Sequence, residues 1–331
     1  MFATCDIPKR RKRGSAEHSR RVISHYNAIT SGKGDLLHQA RRSTVSLVMK
    51  TYPLALDLWD AGSSVVIRST NGTRIASFPL DFISRGGDNT WSYVLYVIDQ
   101  LIISESGRGR IIKDEHGRVL DPNESPSAGE FVFSLEGKLP TINATIETIP
   151  LTSAETDVSF SPGPEYFSSI KAPNPEGSIS TRSNSKRSSV DQSRFRTSVI
   201  ARDSLCVVSG AEWDSCTACH IVPASRPDVY ERIYGDKGGL PMFRPSAGLL
   251  LRDDLHHAFD RLMLSFYRKN DVFYVHCFSM GLLGASEYHG KAIRRDQFRG
   301  SSRNLPDPVL IDWHYSQCLK ARVRGFSIGM L

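Results

Sequence analysis

Hydrophobic and polar positions show their clearest pattern in the first half of the chain, around an Asn-Gly pair. The runs SVVIRST and TRIASF are rich in β-branched residues, and Asn71 and Gly72 join them. Because Asn-Gly suits the tight turn between two strands, the pattern predicts a β-hairpin. Residues 91–103 are continuously apolar and fit a buried helix or strand, and residues 131–135 predict another strand. We expect an α+β domain of unknown type over residues 45–150, without catalytic spacing.

Three other segments lack a pattern that would build a core. Residues 1–44 are dominated by basic and polar side chains, and residues 151–200 are rich in Ser, Pro, Asn, Arg and Lys. Neither segment carries enough large apolar side chains to offset the conformational entropy that is lost on folding. We therefore expect a disordered basic tail and a flexible linker. Residues 281–331 predict a basic C-terminal extension that includes a short helix.

The second half contains three apolar motifs in order, namely SLCVVSG, ACHIVPAS and SAGLLLRDDLHHAFD. Residues 205–209 and 218–222 are compatible with β-strands. Asp253 or Asp254 can cap a helix that holds LHHAFD. The pattern predicts a module of strand, loop and helix over residues 201–280.

The composition is that of an ordinary soluble protein, and we expect the protein to be intracellular. The 331 residues leave room for roughly two domains, and 40% of them are apolar and 23% charged. No apolar run approaches the ~18 residues of a membrane span, and the N-terminus leads into a basic run instead of an apolar secretory signal. Six cysteines are too few for a disulfide scaffold of this length, which leaves free thiols or metal ligands.

The formal net charge of +7 favours nucleic acid as a partner, because Lys and Arg that neutralise phosphates release condensed counterions. A modest positive balance that only aids solubility explains the charge alone equally well. A basic block resembles a nuclear localisation signal, with a solvated arm that touches phosphates nonspecifically as the alternative. Its residues are Lys9, Arg10, Arg11, Lys12 and Arg13. We expect a nuclear protein, or otherwise a cytoplasmic one, with no membrane partner; the oligomeric state is not indicated.

The segment LHHAFD has the spacing of a metal site. His256 and Asp260 are four residues apart, so on a helix they project from one face, one turn apart. Two such side chains can hold one cation. Cys219 or His220, at the end of the preceding strand, can complete a site that keeps open positions for water and phosphate.

The motifs CHIVP, AGLLL and LHHAFD together resemble the HNH endonuclease family, in its branch with AHI[IV]P, NGLLL and LHxxFD. The family's opening C-x-x-[ST]-G matches Cys206 to Gly210, and the likeness covers about a quarter of the chain. The resemblance implies a ββα-metal, treble-clef-like module that hydrolyses DNA phosphodiester bonds. It also implies that His220 is the general base, that His256 is a metal ligand and that Asp260 is a second ligand.

The chemistry explains these residue types. Histidine titrates near neutrality and can take a proton from water, while a divalent ion relieves charge at the phosphate and the departing 3′ oxygen. Mixed nitrogen and oxygen ligands admit Mg²⁺, Mn²⁺, Zn²⁺ or Ni²⁺, so one divalent ion is predicted without its identity. Arg252 and Arg261 flank the helix and are candidate contacts to backbone phosphates.

Two departures from the family pattern keep a second hypothesis open. Ala247 replaces the family's middle Asn, which steadies the loop bearing the general base; neighbouring Ser246 can substitute. Cys219 stands before the base, where many HNH enzymes place Asp or His, and a thiolate there favours zinc. The alternative to an endonuclease is a catalytically silent nuclear module that binds DNA or a protein.

Cysteines and the remaining histidines have alternative interpretations. Cys216 and Cys219, with Cys206 or a histidine, could form a structural zinc site of a binding module. Cys206 and Cys277 are otherwise expected to be buried thiols. Four further histidines are interpreted as surface or capped residues, namely His257, His276, His289 and His314.

Overall fold

A computed structural model describes residues 63–103, 109–136, 158–161, 163–166, 189–235, 241–279 and 285–325. These residues form a mixed α+β structure. The strands are β1 (Ser64–Ser69), β2 (Arg74–Pro79), β3 (Ile102–Ile103), β4 (Gly109–Lys113), β5 (Gly129–Glu136), β6 (Ser159–Phe160), β7 (Cys216–His220), β8 (Gly248–Arg252), β9 (Leu264–Lys269), β10 (Val272–Cys277) and β11 (Ala292–Ile293). The helices are α1 (Leu80–Ser84), α2 (Trp91–Leu101), α3 (Ser189–Asp203), α4 (Pro227–Tyr234), α5 (Asp253–Asp260), α6 (Ala285–Tyr288) and α7 (Pro308–Arg322).

The predicted hairpin around Asn71 and Gly72 is confirmed. Strands β1 and β2 pair antiparallel, the backbone N–H of Ser69 donates to the carbonyl of Thr73 at 2.8 Å, and Gly72 has a φ of 84°. That φ lies in the left-handed region, where glycine avoids the clash that a Cβ would cause. The hairpin belongs to a four-stranded sheet of order β2-β1-β5-β4, in which β1 and β5 run parallel.

The apolar segment 91–103, left open between helix and strand, forms helix α2 and then the short strand β3. Thr90 caps the helix, because its side-chain oxygen accepts from the backbone N–H of Tyr93 at 3.4 Å. The buried residues recur every three or four positions, as a helix that packs along one face requires. They are Trp91, Tyr93, Val94, Val97, Ile98 and Leu101.

The described residues form two hydrophobic cores, and helix α7 contributes to both. The first core joins the four-stranded sheet and α2 to Tyr315 and Leu319 of α7. The second core surrounds the β7–β8 hairpin and α5, and it includes Leu310 and Ile311 of the same helix. Helix α7 lies in the predicted C-terminal extension 281–331, so that segment carries core side chains as well as basic ones.

Helix α3 occupies the end of the predicted linker. The linker predicted over residues 151–200 therefore does not extend past Ser189, and this part of the prediction is wrong. Phe195 and Val199 lie one turn apart and are buried in the second core. Averaged composition concealed them, because the two apolar side chains stand in an otherwise polar segment.

Two histidines expected at the surface, His276 and His314, are buried instead, and a third, His289, is half-buried. The His276 Nε2 atom donates to the Gly86 carbonyl at 2.7 Å, and its Nδ1 atom accepts from the Tyr315 hydroxyl at 2.6 Å. His314 is buried on α7, and His289 donates to the carbonyl of Phe82 at 2.8 Å. Buried polar groups need such partners, and the partners come from distant parts of the sequence that no local pattern reveals.

Other predictions have mixed outcomes. All five cysteines in the described ranges are free and buried, which agrees with the alternative of free thiols. In the part of the chain that the structure describes, no helix is long and apolar enough to cross a membrane. The basic block at residues 9–13 lies outside the described residues.

Candidate functional site

The predicted site is built on the antiparallel hairpin β7–β8, which α5 follows directly. His220 ends β7 and pairs across the hairpin with Gly248. The motif that begins at Cys206 forms a turn against β8, because the Val207 N–H donates to the Leu250 carbonyl at 3.0 Å. The Cys206 Sγ atom accepts from the N–H of Arg252 at 3.3 Å. These contacts explain why the separated motifs occur together.

His220 lies between two aromatic rings. The Phe195 ring of α3 stacks on the imidazole with centroids 4.2 Å apart and an interplanar angle of 9°. Phe243 meets it edge-on at 6.0 Å. A Cβ on Gly248 would lie 2.4 Å from the Phe195 ring, so the glycine of AGLLL is required for this stack. The orientation of the imidazole is therefore set by packing.

His256 and Asp260 lie together on α5, as their spacing predicted. The His256 Nε2 atom is 3.2 Å from an Asp260 Oδ2 atom, and the two side chains are 21% and 47% exposed. His257 stacks on His256 with ring centroids 5.6 Å apart. The helix begins at Asp253, with Arg252 as its N-cap residue, so neither predicted aspartate is the cap. The pair is accessible to solvent and to a ligand.

Cys219 does not join this group. Consecutive residues of a strand face opposite sides, and Cys219 points into the second core, where its thiol donates to the Leu249 carbonyl at 3.3 Å. Burial, and after it the charge of Asp260, raise the pKa of this thiol. The predicted thiolate ligand is thus a protonated core side chain in the structure.

The loop at Ala247 is steadied by groups other than the family's Asn. The Ala247 carbonyl accepts from the N–H of Ile221 at 2.9 Å, next to His220. The buried Arg202 guanidinium donates to the carbonyls of Pro245 and Gly248, at 2.7 Å each. Asp203 holds that guanidinium and also accepts from the N–H of Leu250 at 2.9 Å. This ion pair therefore fixes the residues on both sides of Ala247.

A short segment before α3 covers one end of α5. Tyr166 is buried, stacks on Trp313 with centroids 5.9 Å apart, and lies close to Asp260. Burial first, and then the nearby Asp260 carboxylate, raise the pKa of the tyrosine. Its neighbour Glu165 pairs with Arg232 at 2.6 Å. Asp260 thus has one face against protein and another toward solvent.

The two arginines proposed as phosphate contacts differ in their surroundings. Arg252 forms a two-point ion pair with Asp254, at 2.7 and 2.8 Å, which raises the pKa of the guanidinium. Arg261 caps the C-terminal end of α5 and is exposed. Of these two arginines, Arg261 forms no ion pair among the described contacts, whereas Arg252 does. Both remain predictions as nucleic-acid contacts.

His256 and Asp260 fit a divalent cation as a two-residue donor set. An ion about 2.1 Å from two ligand atoms holds them about 3.0 Å apart in octahedral geometry and about 3.4 Å apart in tetrahedral geometry. Their 3.2 Å separation lies between these values. Across the described ranges, no three His, Cys, Asp or Glu side chains stand close enough together to hold a metal. Such an ion would therefore keep water on its remaining positions.

Comparison with known families decides what this arrangement is related to. A family model described as HNH endonuclease matches residues 206–267. This segment of the chain is therefore similar to the HNH endonuclease family. The HNH segment runs from the Cys206 turn through β7, β8 and α5 to β9, so the recognition made from the three motifs is confirmed. Neither the curated proteins nor the solved structures gave a match to this chain.

Several residues that shape the site were not foreseen. Phe195, Phe243 and Tyr166 come from outside the motifs and contact the site only through the tertiary fold. The adjacent charges Arg202 and Asp203, directly before an apolar motif, were a visible signal, because charges there must be paired when buried. The aromatic rings had no such signal.

Proposed function

We propose that the protein is a metal-dependent endonuclease that hydrolyses DNA phosphodiester bonds. The observation that carries the proposal is the pair of accessible donors, His256 and Asp260, on the helix that follows the hairpin bearing His220, within the HNH segment. His220 acts as the general base, and His256 and Asp260 hold one divalent ion. The net charge of +7 suits a polyanionic substrate.

His220 takes the proton of the attacking water in this proposal. The water oxygen bonds to phosphorus, its proton passes to the imidazole, and the bond from phosphorus to the 3′ oxygen breaks. The two aromatic rings hold the imidazole in one plane, which keeps its lone pair aimed and spares the cost of ordering it during the reaction. Solvent then returns a proton to the released 3′ oxygen.

The role of α5 is to present oxygen and nitrogen ligands at one point. A bound divalent ion supplies positive charge to the phosphate oxygens and to the departing oxygen. His256 and Asp260 would hold it while leaving open positions for water and phosphate. Mg²⁺, Mn²⁺, Zn²⁺ and Ni²⁺ are all compatible with this donor pair.

A catalytically silent binding module is the second candidate, and Ala247 is the observation that favours it. Alanine cannot hydrogen-bond as the family's Asn does. Against it, the Arg202 guanidinium and the backbone bond from Ile221 hold the same loop. The structural zinc site is less well supported, because the Cys219 thiol is bonded inside the core and Cys216 donates to the Glu212 carbonyl at 3.1 Å.

Cleavage of supercoiled plasmid tests the proposal. Purified full-length protein is assayed with each of the four ions, alongside His220→Ala, His256→Ala and a control, His116→Ala, at an exposed histidine in the turn after β4. We expect nicking by the wild type and the control, and its loss in the two site variants. No cleavage with any ion, alongside salt-sensitive DNA binding, would favour the silent module.

Nuclear localisation is proposed separately from the catalytic site. The basic block at residues 9–13 carries it, because five consecutive Lys and Arg residues form the kind of patch that import receptors bind. A fluorescent fusion with all five residues changed to Ala is expected to lose nuclear accumulation. Unchanged accumulation would show that another segment is responsible.

A further inference from the structure

A cavity of about 670 Å³ lies beside the loop that precedes Gly248. Residues 244–246, the turn between β9 and β10, and residues 302–308 surround it. Its volume is in the range of small-molecule sites, which measure about 300 to 1,000 Å³. Residues 244–246 belong to the HNH segment, but His220, His256 and Asp260 do not line this cavity, so it is distinct from the proposed catalytic residues.

The cavity is lined by more basic than acidic side chains. Four arginines line it, namely Arg244, Arg268, Arg295 and Arg303, together with two aspartates, Asp271 and Asp307. Of these, Arg268 is held by Asp312 at 2.7 Å, and no ion pair occupies the other three among the described residues. The carboxylate of Asp307, which also lines the cavity, already accepts from the Tyr234 hydroxyl and the Val309 N–H. Three unpaired guanidiniums around one space suit a phosphate, whose oxygens each accept charge-assisted hydrogen bonds.

Apolar surface lies beside these charges. Phe273 lines the cavity and is half-buried, so part of its ring remains accessible. Phe298 also lines it, with the Arg202 guanidinium 5.5 Å from its ring centroid. An aromatic ring next to guanidinium groups is the combination on which nucleic-acid bases stack. A phosphate alone would use only the charged half of the cavity.

The surroundings of the cavity are preformed. The Arg202 guanidinium bonds to the carbonyls of Pro245 at 2.7 Å and Asn304 at 2.9 Å, which joins two sides of the cavity. The Asp307 N–H donates to the Ser246 carbonyl at 2.9 Å. A ligand therefore meets a rigid frame, and little affinity is lost in ordering it.

We propose that this cavity binds a phosphorylated nucleoside, with the phosphate on Arg244, Arg295 and Arg303 and the base against Phe273. Ser246, which lines the cavity, directly precedes Ala247. The Ala247 carbonyl accepts a hydrogen bond from the N–H of Ile221, the residue after His220, so the cavity is adjacent to the loop next to the proposed general base. The ligand is either one nucleotide of a nucleic-acid strand or a free nucleotide. The first source rests on the proposed function, and the second does not.

The test measures binding to the full chain in metal-free buffer, so that cleavage plays no part. Adenosine 5′-monophosphate is titrated by calorimetry. Adenosine, which lacks the phosphate, and ribose 5-phosphate, which lacks the base, are titrated in the same way. The variant Arg295→Gln/Arg303→Gln removes two exposed cavity arginines. Arg118→Gln/Arg299→Gln removes the same charge from exposed positions outside the cavity and is the matched control. Circular dichroism checks the fold of both.

We expect the monophosphate to bind more tightly than adenosine or ribose 5-phosphate. The cavity variant should weaken it about tenfold or more, because charge-assisted bonds are lost, and the control should not. Displacement of the monophosphate by a short single-stranded oligonucleotide identifies a strand as the source, and failure to displace it identifies a free nucleotide. No binding of the monophosphate, or equal binding by the cavity variant, overturns the proposal. Neither result depends on whether the protein cleaves plasmid.

Discussion

Mild acid should destabilise this fold through its buried histidines, and His314 gives the cleanest case. Its Nδ1 atom accepts from the Ser265 hydroxyl at 2.8 Å, its Nε2 atom donates to the Phe259 carbonyl at 3.2 Å, and its ring stacks on Phe259. Burial lowers the pKa of His314 from 6.5 to about 3, and burial has the same effect on His276. Both imidazoles are therefore neutral in the folded protein.

The sign and size follow from proton linkage. In the unfolded chain the histidine takes up a proton near pH 6.5, whereas in the folded chain it does so only near pH 3. The free energy of unfolding therefore has its full value above pH 6.5 and decreases as the pH falls from 6.5 to 3. At pH 5 the pH is roughly 1.5 units below the pKa of the unfolded chain, and each unit corresponds to about 1.36 kcal/mol. Each buried histidine therefore lowers the free energy of unfolding by about 2 kcal/mol at this pH. Two such histidines remove about 4 kcal/mol, which is a large share of a typical 5–15 kcal/mol.

Urea unfolding at pH 8 and pH 5 measures this effect. The wild type should lose about 4 kcal/mol between the two, and His314→Gln should lose about 2 kcal/mol less than the wild type does, although it is less stable at pH 8. His116→Gln, at a histidine whose side chain is 82% exposed, is the control and should behave as the wild type. An identical loss in His314→Gln would refute the assignment of this pH dependence to the buried ring.

Three further predictions concern the site. Gly248→Ala should cost about 1–3 kcal/mol in urea unfolding, because the new Cβ meets the ring of Phe195. Arg202→Met should cost about 3–5 kcal/mol in the same assay, since it leaves Asp203 buried without its partner. Asp260→Asn should weaken Mn²⁺ binding, measured by calorimetry, by about tenfold or more because one anionic ligand is lost.

Controls separate these effects from general damage. Gly72→Asn places a residue that tolerates the left-handed conformation at a turn where no atom lies within 4 Å of the new Cβ. It should lower the free energy of unfolding far less than Gly248→Ala does. Arg299→Met removes an exposed arginine in place of a buried one. Asp214→Asn removes an exposed carboxylate outside α5 and should leave Mn²⁺ binding unchanged. A loss of Mn²⁺ affinity in Asp214→Asn equal to that in Asp260→Asn would remove the support for the predicted ion site.

Sequence patterns predicted the secondary-structure elements that are determined by residues close together in the sequence. The hairpin at Asn71 and Gly72 and the helix that bears His256 and Asp260 depend on neighbours in the sequence, and both are present. Helix α3 was missed because its buried side chains contact residues far along the chain, as Phe195 does with Gly248 fifty-three positions later. No propensity scale contains such a contact.

The site could be predicted in part for the same reason. Side chains that share one helix face followed from their spacing, as for His256 and Asp260. Cys219 was placed by its position at a strand end, but strand alternation turns it into the core while His220 meets Phe243. The Arg202 pair and the basic cavity combine segments far apart in the chain, so they appear only in three dimensions.

Chemical rescue tests the central claim, that His220 is the general base, most directly. His220→Gly removes the imidazole from between Phe195 and Phe243, so free imidazole can enter the vacated space. In single-turnover plasmid cleavage with the active ion, we predict that the variant is inactive and that added imidazole restores cleavage as its neutral fraction rises with pH. Cleavage by His220→Gly at the wild-type rate, without imidazole, would contradict the account.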